Sequence, residues 1–268
     1  MIGGAGPLRV EAMRNLLPFV GALVVAYLAL CAWAFATQRS QIYFPTPAAN
    51  HHAAVLWVDS QGERIKVWSV SRPGPRALIY LGGNAEDVGA NLAEFTSAFP
   101  SHSLYLVNYR GYGGSSGRPK EAALVADALA VFDRVHTAHA HVAAMGRSLG
   151  SGVAVQLASA RPVERLVLVT PYDSLVNLAS EYFRWLPVGM LLRDRYDSAH
   201  HAREVVVPVL LVIAAEDEII PMRRSRALAD MLRPEQASVV VIDGVGHNTL
   251  DRSPEYLQAV GSFLGAHR

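Results

Sequence analysis

Ser148 sits among small residues in the stretch MGRSLGSG, residues 145 to 152. Gly146 and Gly150 flank Ser148 in a G-x-S-x-G spacing, after the apolar run HVAAM and before the helix-like run VAVQLASA. A sharp strand-to-helix bend needs small neighbours, and it lifts the hydroxyl clear of a sheet. The plainer reading is a serine that caps a helix after a glycine turn. A serine hydroxyl is a weak nucleophile at neutral pH. It needs a base to take its proton, and the base needs an acid to orient it. Both residue types follow late in the chain. The run VPVLLVIAAE leads into Asp217, and SVVVIDGVG leads into His247. Glu216 and Glu218 are rival acids. Asp217 is favoured because its D-x-x-x-P spacing to Pro221 places it where the loop turns from the strand. Among ten histidines, His247 stands in a Gly-Val-Gly-His loop after a late strand. Acyl transfer also needs donors for a developing oxyanion. The Leu149 N–H, just after the serine, is one candidate. Asn84, in the Gly82-Gly83-Asn84-Ala85 turn, is the other, with Ala85 as the fallback.

Those residues need elements to hold them. Residues 53–58 and 64–70 read as a hairpin around Asp59-Ser60-Gln61-Gly62. Continuous apolar runs at 76–81, 103–109, 142–145, 165–169, 207–214 and 238–243 read as strands. Helical periodicity marks 88–99, 121–136, 148–160, 223–233 and 254–267. Strands that are apolar throughout and alternate with helices predict a mostly parallel sheet covered on both faces, with the hairpin adding antiparallel strands at one edge. Ligands of such sheets sit at the carboxyl ends of the strands, where Ser148, Asp217 and His247 fall. Residues 173–204 break the alternation and carry several aromatics. They are expected to form a small helical cap inserted into a domain spanning 53–268.

From Leu16 to Ala36 no charge interrupts 21 residues. At about 1.5 Å per residue, that run spans about 30 Å, the hydrocarbon thickness of a bilayer. Residues 1–37 are therefore expected to be a retained single-pass membrane anchor and 38–52 a linker. The alternative is a signal peptide cleaved at Ala32-Trp33-Ala34 or Ala34-Phe35-Ala36. Arg9 and Arg14 before the run, against Arg39 after it, put the N-terminus inside and the domain outside the cytoplasm.

The composition narrows the partners. A net charge of +1 with no basic run gives no footprint for nucleic acid. One cysteine, Cys31, permits neither an internal disulfide nor a cysteine-built zinc site. The clusters His51-His52, His136/His139/His141 and His200-His201 do not by spacing guarantee a metal site. No metal and no cofactor are expected. Arg110 is expected to pair with a carboxylate and hold its loop, and Arg147 is assigned a structural role.

From about residue 76 onward, the chain resembles the α/β-hydrolases. The resemblance rests on LIYLGGNAED (78 to 87), NYRGYGGSSG (108 to 117), GRSLGSG (146 to 152), AAEDEIIP (214 to 221) and GVGHN (244 to 248). It is similar to the membrane-anchored serine hydrolases, which include bacterial single-pass enzymes and eukaryotic depalmitoylating and lysolipid-cleaving hydrolases. That resemblance implies Ser148 as nucleophile, Asp217 as acid and His247 as base, with the Asn84 and Leu149 amides as oxyanion hole. Gly82 stands where relatives often carry histidine, which bears on substrate contacts there. The implied activity is ester or thioester hydrolysis of an acyl, lipid-like substrate through an acyl-enzyme. A serine peptidase of the same fold is the second reading. It would need cap acids among Asp173, Glu181, Asp194 and Asp197 to converge on a substrate amine. A membrane-bound scaffold with an inactive hydrolase fold is the third.

Overall fold

In the computed structural model, residues 7–265 are described, with side chains described from Leu16 on. A long helix, α1 (Pro7–Ile42), precedes the hairpin β1 (Ala54–Ser60) and β2 (Glu63–Val70). Then follow β3 (Arg76–Leu81), a 3₁₀ turn (Val88–Asn91), α2 (Leu92–Ala98), β4 (Ser103–Val107) and α3 (Glu121–His136). The centre holds β5 (His141–Arg147), α4 (Leu149–Ala160) and β6 (Leu166–Val169). The cap contributes α5 (Leu175–Tyr182), α6 (Val188–Leu191) and α7 (Ser198–Ala202). The chain closes with β7 (Val209–Ala214), α8 (Met222–Ala229), β8 (Ala237–Ile242) and α9 (Pro254–Gly265).

The strands form one sheet in the order β1-β2-β4-β3-β5-β6-β7-β8. The β1–β2 and β2–β4 pairs are antiparallel, and all others are parallel. The two-residue period of a strand sorts side chains between the faces. Ile79 and Leu81 pack on one face with Leu124 and Val131 of α3 and Val153 and Leu157 of α4. Leu78 and Tyr80 pack on the other with Phe95 of α2 and Val260 and Leu264 of α9. Both faces are thus covered, which is why β3, β5, β6 and β7 read as unbroken apolar runs rather than alternating ones.

Several boundaries differ from those expected. The helix anticipated over 88–99 is a 3₁₀ turn followed by α2, because the Asp87 carboxylate accepts the Gly89 N–H and tightens the start. β4 ends at Val107, because Asn108 turns to donate its side-chain amide to the Lys66 carbonyl. α1 runs five residues past 37, through Ile42, so the expected linker begins as helix. Side-chain bonds hold that extra turn. Gln38 donates to the Leu191 carbonyl and accepts the Arg193 N–H, and Arg39 forms a bidentate pair with Asp194. The stretch Leu16–Ile42 is long and apolar enough to cross a membrane and is hardly buried against the rest of the protein. The side chains of Arg9 and Arg14, on which the expected orientation rests, lie outside the described residues.

Candidate active site

Ser148 occupies the corner between β5 and α4 at φ 50° and ψ −117°, a conformation that costs a non-glycine residue roughly 1–3 kcal/mol. The corner is held from both sides. The Ser148 N–H donates to the Val169 carbonyl at 2.9 Å, and the Ser148 carbonyl accepts the Ser151 hydroxyl at 2.6 Å. The flanking glycines are small because the backbone leaves no room. A Cβ on Gly150 would lie 2.0 Å from the Leu81 carbonyl oxygen, and one on Gly146 would lie 2.3 Å from the Gly150 oxygen.

The loops after β7 and β8 bring the other two candidates to this corner. His247 Nε2 lies 3.0 Å from Ser148 Oγ, and His247 Nδ1 lies 2.8 Å from Asp217 Oδ2. A carboxylate only accepts, so Nδ1 carries the proton and Nε2 is left to accept from the serine. Asp217 is oriented through its other oxygen, which accepts the Ile219 and Ile220 N–H groups at 2.9 and 2.6 Å. The rival acids take other positions. The Glu218 carboxylate accepts the His247 N–H at 3.1 Å, and Glu216 is tied through its backbone to Val245. Arg147 donates to the His247 carbonyl at 3.1 Å. Glu218 and Arg147 thus fix the histidine's backbone. Sequence spacing carried no signal for this role, because both contacts depend on loops a hundred or thirty residues away in the chain.

The turn after β3 is braced as densely. The Asn84 side-chain amide donates to the Ile42 carbonyl at 2.6 Å. Its oxygen accepts from the Phe44 N–H and the Tyr112 hydroxyl at 2.9 and 2.8 Å. The Glu86 carboxylate takes the Gly83 N–H, the Tyr80 hydroxyl and the Asn91 amide. The Tyr109 hydroxyl donates to the Gly82 carbonyl at 2.8 Å; burial pushes its pKa well above the ordinary value, so it stays a neutral donor. Asn84 and Ser148 line the same small polar hollow, with Gly83, Arg147 and His247. The fallback donor Ala85 gives its N–H to the Asn84 side-chain oxygen at 3.1 Å. The Leu149 N–H opens α4, where the helix offers it no acceptor. Tyr80, Glu86, Tyr109 and Tyr112 went unnoticed in the sequence because they meet there from separate places: the end of β3, the turn itself and the loop after β4.

A larger cavity of about 620 Å³ opens beside Ser148. α1 contributes Ala34, Gln38, Gln41 and Ile42 to its wall, and the cap contributes Leu178, Phe183, Leu186 and Leu192 among others. Among the described residues, no Asp, Glu, Lys or Arg lines it. The four cap acids do not converge there. Asp173 pairs with Arg224, Glu181 with Arg223 and Arg224, and Asp194 with Arg39, while Asp197 caps α7. Arg110 forms the expected pair, meeting the fully buried Asp127 at 2.9 and 2.5 Å. In the first two clusters the histidines meet separate partners: His139 bonds Tyr105, His136 stacks on Phe132, His51 bonds Asp87 and His141 pairs with Glu164, while His200 and His201 meet edge to face. Among the described residues, no three His, Cys, Asp or Glu side chains gather around a point that could hold a metal ion.

Comparison with known proteins agrees with this architecture. The family described as alpha/beta hydrolase fold matches residues 77–206. The uncharacterized protein Rv2307c of Mycobacterium tuberculosis is 34% identical over 251 residues, covering 87% of this chain and 88% of its own. The lysophosphatidylserine lipase ABHD12 of Xenopus tropicalis is 28% identical over 249 residues, covering 79% of this chain and 64% of its own. Among solved structures, the Pyrococcus furiosus esterase Pf2001 superposes with a TM-score of 0.69 at 17% identity. That match covers 83% of this chain and 98% of the esterase.

Proposed function

The chain belongs to the α/β-hydrolase family, and from that premise we propose that it is a membrane-tethered serine hydrolase cleaving esters or thioesters of apolar acyl chains. The observation that carries this reading is the unbroken hydrogen-bond line Ser148–His247–Asp217 at the mouth of an uncharged cavity. The esterase and lipase named above, as relatives or structural neighbours, support the same reaction class. In the proposed reaction, Ser148 Oγ attacks the substrate carbonyl while His247 Nε2 takes its proton. Asp217 keeps the imidazole in the required tautomer and stabilises its charged form. The oxyanion settles between the Leu149 and Asn84 amides, each worth about 2.7–4 kcal/mol to the transition state. Collapse releases the alcohol or thiol, protonated by His247, and leaves an acyl-Ser148. Water, deprotonated by the same imidazole, then releases the acid.

What the helix α1 does supports its retention. It forms one wall of the cavity and is pinned to the cap through Gln38 and Arg39 and to the oxyanion turn through Ile42. We propose it as a single-pass anchor, with the hydrolase domain and its cap following. The lack of a convergent acid pair in the cap leaves nothing that favours the peptidase reading. The test is reaction of the purified full chain with a fluorophosphonate probe and with p-nitrophenyl esters. Ser148→Ala is expected to abolish labelling and to lower ester turnover by about 10⁴- to 10⁶-fold. A probe adduct on another residue, or undiminished turnover in the variant, would overturn the proposal.

A further inference from the structure

If α1 spans the bilayer, as the proposed function holds, it provides a depth scale for whatever packs against it. Asn15 closes the apolar run on one side. A hydrocarbon core needs about 20 apolar residues, so it extends from Leu16 to about Phe35. The positions 27, 31, 34, 38 and 41 repeat at helical spacing and form one stripe along α1. The whole stripe faces the cap. Ala34, Gln38 and Gln41 line the cavity, Cys31 is buried, and the Tyr27 hydroxyl donates to the Trp185 carbonyl at 2.9 Å. Tyr27 lies eight residues inside the boundary at Phe35, so Trp185 is held about 12 Å below that boundary, less any helix tilt.

The chemistry of the cap tip fits that depth. Phe183, Trp185 and Met190 are 43%, 55% and 85% exposed, an apolar surface that water would penalise. Arg184 lies between the two aromatics. Its Nε donates to the Glu181 backbone carbonyl at 3.4 Å, back toward α5. Of the other described charges along the cap, the Arg195 guanidinium donates to the Gly189 carbonyl at 2.8 Å at the C-terminal end of the tip, and those that meet α1 sit at or outside the boundary. The Arg193 guanidinium lies over the Phe35 ring, and the Arg39–Asp194 pair falls about 6 Å beyond it, in the headgroup layer. The catalytic corner lies further out, at the level where Asn84 bonds the Ile42 carbonyl. The cavity therefore descends from a polar catalytic mouth toward an apolar tip.

We infer that residues 183–190 are immersed in the adjoining leaflet and that the cavity opens into lipid along the seam between α1 and the cap. The occupant of this surface is the bilayer itself. An acyl chain then slides sideways from the leaflet into the cavity, while its carbonyl rises to Ser148 without the chain crossing water.

The experiment uses the full chain in phosphatidylcholine vesicles, with Cys31→Ala removing the single native thiol. Nitroxide labels are placed one at a time through Met190→Cys at the cap tip, Leu23→Cys at an exposed position of α1 one turn before Tyr27, and Glu235→Cys on an exposed loop of the domain. Power-saturation spectroscopy compares collision with oxygen, which partitions into lipid, against a water-soluble nickel chelate. Position 190 is expected to match position 23, with an oxygen-to-nickel ratio about tenfold above that at position 235. If position 190 matches 235 while position 23 stays in lipid, the immersion is overturned and the anchor stands. If position 23 also matches 235, the anchor falls and the immersion with it. Fluorophosphonate labelling of the same variants reports separately on the hydrolase reading.

Discussion

The cavity beside Ser148 has two walls built by different means. The sheet wall comprises the ends of β3, β5, β7 and β8 and holds its atoms by backbone. Ser148 is fixed through its own N–H and carbonyl, His247 through its N–H to Glu218 and its carbonyl to Arg147, and the β3 turn through Glu86, Tyr109 and Asn84. The opposite wall, α1 with α5 and α6, is mostly leucine, phenylalanine and alanine and is joined to the rest by a few side-chain bonds. Proton transfer requires heavy atoms within about 0.5 Å of productive geometry, whereas holding an acyl chain requires only dry volume of suitable length. Under the proposed function, each wall has the construction its task would demand. The sheet wall should therefore fail abruptly when altered, and the cap wall should change by degrees.

The largest effect is expected one layer behind the sheet wall. Arg110, in the loop that also carries Tyr109 and Tyr112, meets Asp127 of α3 with both side chains out of water. Asp127→Ala leaves a buried guanidinium without its partner and should cost about 3–5 kcal/mol in urea unfolding. The double variant Arg110→Met with Asp127→Leu should recover most of that loss, because no charge is then stranded. A single variant that unfolds at the parent urea concentration would show that the layer yields more than its geometry allows.

Gly150→Ala strikes the wall itself. The new Cβ meets the Leu81 and Gly82 carbonyl oxygens, which are backbone atoms with no rotamer to change. α4 must move away from β3, and Ser148 and the Asn84 turn part company. Displacements near 1 Å cost about 10²-fold in rate, so kcat/KM for a p-nitrophenyl ester should fall by about that factor. Overpacking should add a loss of about 1–3 kcal/mol in stability. Undiminished turnover would mean that the close approach does not set the catalytic geometry.

The same contrast explains what could be read from the chain. The sheet was legible because β3, β5, β6 and β7 are buried on both faces and therefore lack the polar alternation of exposed strands. The corner at Ser148 was legible because steric exclusion at Gly146 and Gly150 leaves a mark in residue type. Asp217 and His247 were legible because a parallel sheet places them at strand ends. The bracing groups were not. Glu218 drew notice only as a rival acid, and Glu86 sits in a turn where any polar residue is unremarkable. Their value lies in contacts that join distant loops, such as Glu218 to His247 across 29 residues. The reach of α1 to Ile42 was hidden for the same reason: local propensity marks the end of the apolar run at Ala36, while Asp194 and Leu191 decide where the helix stops.

The smallest effect belongs to the cap wall. Leu192 is half-buried and lines the cavity from the cap, just after α6. Leu192→Ala removes apolar surface that a long acyl chain would cover, at about 0.8 kcal/mol per methylene fully buried and less here. For a long-chain ester, kcat/KM should fall by about three- to tenfold, a loss of roughly 1 kcal/mol, carried mainly by KM. An acetate ester has no long chain for Leu192 to cover, and its turnover should stay within about twofold of the parent. Comparing acetate, octanoate and palmitate esters on the one variant therefore separates the two walls. Parallel loss across all three chain lengths would mean that Leu192 acts on the catalytic corner and that the walls are mechanically one. A loss that grows with chain length would locate acyl recognition in the apolar seam and leave the chemistry to the sheet.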